Sequence, residues 1–194
     1  MPPMKLAVPF AALLPRLELE ADAAAALDGA QTAEQGIVQL ESAGLRHAAV
    51  RLAAHALPRR EAVWWACMCA RGVLHPPTAV EDAQALLAAE AWVRSPGDDS
   101  LRRAAWDAAE KTSFRSTEAW AAVGAFWSGG SMAPLGQPVV PPGEHLTGVA
   151  VCGGVLLAAV RGRSDRAQSR LERFVASARE ISSGGAGRIA EEED

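Results

Sequence analysis

The sequence has no tyrosine, and only three cysteines and two lysines among its 194 residues. Each scarcity excludes something. Without tyrosine, one common acid–base side chain is missing from any site the chain could build. Lys5 and Lys111 are the only lysines among 19 basic residues, so positive charge is carried by arginine. Together with the alanine-rich text, that bias reads as the mark of a GC-rich bacterial genome, not of a binding function. Cys67, Cys69 and Cys152 are odd in number and too few for a disulfide framework, which fits a reducing compartment. The longest apolar run, LTGVAVCGGVLLAAV at 146–160, has 15 residues, short of the ~20 that span a bilayer as a helix. Gly148, Gly153 and Gly154 lower its hydrophobicity further, so it reads as a buried core helix. The opening stretch MPPMKLAVPFAALLPRLELE lacks the clean apolar segment and small-residue cleavage site of a signal peptide. A cytoplasmic protein with no membrane insertion is the expectation. Net charge is −4 and the pI about 5.6, which argues against a nucleic-acid partner.

What is abundant is alanine and leucine, with 49% hydrophobic residues overall. That is enough for one ordinary domain with a real core. Sparse β-branching makes helix the default. Breakers then divide the chain into helices near 9–14, 21–29, 33–42, 44–57, 59–74, 79–94, 100–112, 117–128, 145–160 and 165–181. Thr78 with Glu81 reads as a capping box, Ser95–Ser100 as a stop followed by an acidic start, and Ser116 as another N-cap. The expected fold is all-α: a single domain over 1–182, built as a bundle of short antiparallel helical hairpins. Residues 131–143, SMAPLGQPVVPPG, carry four prolines and read as an extended strap across the bundle, or equally a hinge or docking segment. Residues 183–194, ending in four acids, read as a disordered tail. Trp92, Trp106 and Trp120 recur every 14 residues on successive helices, a spacing too weak to name a solenoid.

WWACMCARG at 64–72 is the most chemically suggestive stretch. On a helix Cys67 and Cys69 point about 200° apart and cannot share a metal. Apolar residues surround that helix on every side, the pattern of a central buried helix in which free cysteine acts as a small hydrophobe. His47, Arg51 and His55 share a face, but the histidines would stand ~12 Å apart with a cation between them; a solvated face is expected. Asp98 and Asp99 suit helix capping better than acid catalysis. The Gly–Ser stretch FWSGGSMAP at 126–134 follows a helix and lacks the ending of a phosphate loop. With no G-x-S-x-G and no H-E-x-x-H, no catalytic, cofactor or metal site is expected. The last helix carries Arg163, Arg166, Arg170, Arg173 and Arg179 interleaved with acids. They are expected to be exposed as a solvated face, with an acidic protein partner as the sharper alternative. With Pro134, Leu135, Val139 and Val140 of the strap, Arg163, Arg166, Arg170 and Arg173 are the candidate partner-binding residues.

Three stretches, VWWACMCARGVL, AAEAWVRSPGDDSLRRAAWDAA and FWSGGSMAP, carry a resemblance over roughly 58–135. There the chain resembles a family of small helical bacterial proteins associated with type VI secretion loci, beside spike-tip proteins and effectors. The W-A-x-x-C-A-R and A-x-x-W-V-R patterns are also similar to helical immunity proteins of toxin systems. The first resemblance implies a non-enzymatic adaptor, chaperone-like or co-chaperone-like, whose partner is a secretion chaperone, spike-tip protein or effector. The second implies an immunity protein neutralising a neighbouring toxin. Neither supplies catalytic residues, and neither covers the flanks 1–57 and 136–194.

Overall fold

The computed structural model describes residues 9–73 and 79–192. These contain ten α-helices and no strand: α1 (Phe10–Leu13), α2 (Ala21–Ala26), α3 (Ala33–Ser42), α4 (Arg46–Ala56), α5 (Arg59–Arg71), α6 (Val80–Arg94), α7 (Asp99–Lys111), α8 (Thr117–Phe126), α9 (Leu146–Val160) and α10 (Ala167–Ser182). Short 3-10 turns at Leu14–Arg16 and Ser164–Arg166 follow α1 and lead into α10. The protein is all-α.

Local chemistry sets the boundaries. Thr32 accepts from the Gln35 amide, Asp98 from the Ser100 and Leu101 amides, and Ser116 from the Ala119 amide. Each satisfies orphan donors at a helix start. The expected cap at Thr78 lies outside the described residues. Three helix ends are closed by arginine. Arg60 donates to Val93 O at the end of α6, Arg102 to Phe126 O at the end of α8, and Arg170 to Ala159 O at the end of α9. A rigid, always-charged fork suits carbonyls left without intrahelical partners, which gives the arginine-rich composition a structural role.

α5 is the hub: α4, α6, α8, α9 and α10 all pack on it. Ala62, Val63 and every residue from Trp65 to Ala70 are buried, as expected for a helix apolar all round. Cys67, Cys69 and Cys152 are free thiols in that core, and burial raises the pKa of each. α8 lies among α5, α6, α7 and α9. It buries nearly its whole circumference, including Glu118, whose carboxylate is gripped by Arg161. α9 runs against α8, α4 and α5. Its core reading holds for one side only, since Val149, Leu157 and Val160 remain exposed. Among the described residues no single helix is long and apolar enough to cross a membrane.

Two expectations about the connections are corrected. Residues 131–143 do not lie across the bundle on apolar anchors. Met132 N donates to Val140 O at 2.8 Å and Val140 N to Ser131 Oγ at 3.0 Å, so the chain closes into a loop. Leu135, Val139 and Val140 are exposed on that loop. A proline-rich stretch supplies few amides, and those of Met132, Ala133, Gln137 and Val140 bond within the loop. The segment after α10 is not free either. Residues 183–192 fold back on the bundle, as described below.

Candidate functional site

α10 carries an apolar stripe of Leu171, Phe174, Val175, Ala178 and Ile181, all buried. Arg170 lies within that stripe, one residue before Leu171 and four before Phe174. The expectation that it is exposed is therefore corrected: its side chain is 1% exposed. Nη1 donates to Ala159 O at 3.0 Å and Arg161 O at 2.5 Å, which fixes the guanidinium against the end of α9. Its Nε and Nη2 remain, and both donate at 2.7 Å to the two carboxylate oxygens of Glu192. Arg173 and Arg166 approach the same carboxylate at 3.4 and 3.6 Å. Those bonds, led by Arg170, hold the Glu192 carboxyl below its usual pKa although burial opposes them. Arg163 stays apart, paired with Asp165 in solvent.

Three of the four candidate arginines therefore converge on one anion, and that anion belongs to this chain. The rest of its segment is held in a groove between α5 and α10. Trp64 Nε1 donates to Ala186 O at 2.8 Å, Ser177 Oγ donates to Gly187 O at 2.6 Å, and Arg173 donates to Ala190 O. Ile189 packs on the core over Gly72, where a Cβ would stand 2.7 Å from Ile189 Cβ. Gly187 has φ +63°, and a Cβ there would stand 2.9 Å from Ser177 Oγ. Glycine is thus required on both sides of the contact.

The groove reads backbone carbonyls at 186, 187 and 190, an aliphatic side chain at 189 and a carboxylate at 192. Sequence reasoning found the arginines but missed Trp64, Gly72, Ser177, Ile189 and Glu192. The available signal was Ile189, the one large apolar side chain in SSGGAGRIAEEED. The other candidates, Pro134, Leu135, Val139 and Val140, are exposed on the 131–143 loop and bring no polar group to the groove.

The remaining sequence features have structural partners. Asp98 caps α7, and Asp99 pairs with Arg102 and Arg103 at 2.7 and 2.8 Å. The Gly–Ser stretch presents Ser131 O to Arg102 at 2.9 Å. A phosphate cradle needs amides turned inward, so this polarity is reversed. The expected solvated face of α4 holds at His47, which is exposed, and is corrected at Arg51 and His55. Arg51 donates to Leu17 O and Glu18 O, and His55 is half-buried against Gly148 of α9. A cavity of about 320 Å³ beside His55 is lined by Arg16, Arg59, Glu144, His145 and Thr147. Arg16 and Glu144 neutralise each other there at 2.8 Å. Burial, then the charges of His145, Arg51 and Arg16, push the pKa of His55 down to about 4. Among the described residues no three His, Cys, Asp or Glu side chains are grouped to hold a metal ion.

No curated protein matches the chain, and no solved structure does. One family model matches residues 36–182, and it spans α4 to α10 and every wall of the groove. The chain therefore belongs to DUF6931, a family of unknown function.

Proposed function

We propose that this protein is a non-enzymatic adaptor that holds a segment of another protein in the groove between α5 and α10. One observation carries the reading: Arg166, Arg170 and Arg173 converge on the single carboxylate of Glu192, within a segment held largely through its backbone carbonyls. A preformed bidentate arginine fork confers specificity for a carboxylate. Donors aimed at main-chain oxygens bind an extended segment with little regard to sequence. The resemblance over 58–135 favours a secretion setting, with a secretion chaperone, spike-tip protein or effector as the partner, and the adaptor role requires no cofactor.

The test is affinity capture from the cells that make the protein, using the wild-type chain and the double variant Arg166→Glu, Arg173→Glu. Both residues are partly exposed, so charge reversal leaves the core intact. A secretion-locus protein recovered stoichiometrically with the wild type and lost with the variant is the expected result. Equal recovery by both chains would move the partner site elsewhere. Capture of a lone toxin, with the chain alone rescuing cells that produce it, would replace the adaptor reading by neutralisation.

A further inference from the structure

We propose that the segment 186–192 is a built-in competitor, displaced by a partner segment carrying a glycine, an aliphatic residue two positions on and a carboxylate three positions after that. The proposal rests on the reading of the groove as a partner site and adds how that site is gated and what it selects.

Three features of the groove support displacement. Its key cation is organised without the occupant, because Arg170 is held by the carbonyls of Ala159 and Arg161. When Glu192 leaves, Nε and Nη2 of a buried guanidinium lose their acceptors. A guanidinium fixed against the end of α9 and left without its carboxylate favours another anion in the same bidentate geometry. The occupant, for its part, is buried only at Gly187 and at the Glu192 carboxylate. Ile189 is only half-buried, and Ser183, Gly184, Gly185, Ala186, Arg188, Ala190 and Glu191 are all exposed. It also joins α10 through Ser183-Gly184-Gly185, a flexible composition. Finally, the groove's walls, from Trp64 to Ser177, lie inside the family match at 36–182, and the occupant lies outside it.

The selectivity follows from which side chains are read. The carbonyls at 186, 187 and 190 take donors from Trp64, Ser177 and Arg173, whatever side chains those residues carry, so identity is imposed at 187, where only glycine fits, and at 189 and 192. The pit over Gly72 takes an aliphatic group, and the three arginines take a carboxylate. Tethering sets the strength of the block. A short flexible linker presents its own ligand at an effective concentration in the millimolar range, so a competitor with the same contacts is weakened by roughly 10- to 100-fold.

The test uses the full chain with Ile189→Asp and Glu192→Lys, which removes both recognised side chains from the tether. The probe is a fluorescein-labelled peptide, GGAGRIAEE, equivalent to residues 184–192, and the readout is fluorescence anisotropy. The variant should bind it at least tenfold more tightly than the wild type does. Replacing the peptide's final glutamate by glutamine, or its isoleucine by aspartate, should abolish binding. Glu192→Gln alone, a milder release, should give an intermediate affinity, and trypsin should cut after Arg188 faster in both released chains. Equal binding by wild type and released chains, or binding by neither while the variants melt cooperatively, would overturn the proposal. A wild-type dimer in light scattering that vanishes in the released chain would overturn it in favour of tail exchange between copies. The two readings fail separately. Equal capture of a cellular partner by wild type and released chains, abolished by Arg166→Glu with Arg173→Glu, would sink the gating and leave the adaptor. Peptide binding without any captured partner would do the reverse.

Discussion

Charge was a poor guide to exposure for single residues in this chain, and periodicity a good one. Arg170 lies three residues after Ala167 and four before Phe174, inside the apolar stripe that the spacing of α10 defines, yet its charge suggested solvent. Glu118, Glu90 and Arg102 are buried in the same way, with partners at Arg161, Arg71 and Asp99. Two of those partners are 43 and 19 residues distant, so no local pattern could have supplied them. Apolar residues were more legible. The apolar circumference of α5 places Trp65 in the core; it is 0% exposed and donates to Phe174 O at 2.8 Å. Trp65→Ala should lower stability by about 3–5 kcal/mol through lost transfer energy and the cavity left behind. Trp106 is half-buried, tilted between Phe114 and Phe126 at centroid distances of 5.3 and 4.7 Å. Trp106→Ala should cost less, about 2 kcal/mol. Urea denaturation of both variants measures the gap, and equal losses would mean that exposure does not govern the tryptophans here.

Helix positions were readable because caps and breakers act locally. Thr32, Asp98 and Ser116 occupy the N-caps that their chemistry favours, and the helices expected between breakers all form. What the sequence did not carry is how close two helices come. α4 and α9 meet where His55 lies against Gly148, and a Cβ there would stand 2.6 Å from His55 Nδ1. This contact explains both a glycine inside a helix and a histidine withdrawn from the solvated face it was expected to join. It also has a pH signature. The folded pKa of His55 is about 4, below the ordinary 6.5, so the unfolded chain binds the additional proton between those values. The contribution of neutral His55 is complete above about 6.5 and declines as the pH falls towards 4. The melting temperature should therefore drop between pH 7 and pH 5. His55→Gln, which cannot take up that proton, should flatten the drop. An unchanged slope in the variant would assign the acid sensitivity to carboxylates instead. Gly148→Ala should destabilise at every pH, by about 1–3 kcal/mol, because the crowding it creates is steric.

At the scale of the whole molecule, the all-α class and the central position of α5 were legible, since both follow from composition and hydrophobic periodicity. The groove was legible only in half. The arginines of the last helix are visible in the sequence, but a solvated face is their simpler reading, and the anion they bind sits 22 residues from Arg170, in a segment whose glycines and acids read as unstructured. Composition reports that such a segment cannot build a core of its own; it does not report that a core elsewhere holds a place for it. The latch is electrostatic, so acid should open it. The Glu192 carboxyl is held below its ordinary pKa by Arg170 first, with Arg166 and Arg173 adding to it. Its stabilising contribution is therefore full above the unfolded carboxylate value, about 4.3, and is lost as the pH falls through the lowered folded value. The Trp64 indole N–H, which donates to Ala186 O, reports the docked segment in a proton–nitrogen correlation spectrum. As the pH falls through that lowered value, its resonance should move towards the position that Glu192→Gln shows at neutral pH. Because the carboxylate is only 5% exposed, moderate salt at neutral pH should move that resonance little. An indole signal that follows salt and ignores acid would assign the docking to surface charge and remove Glu192 as the latch.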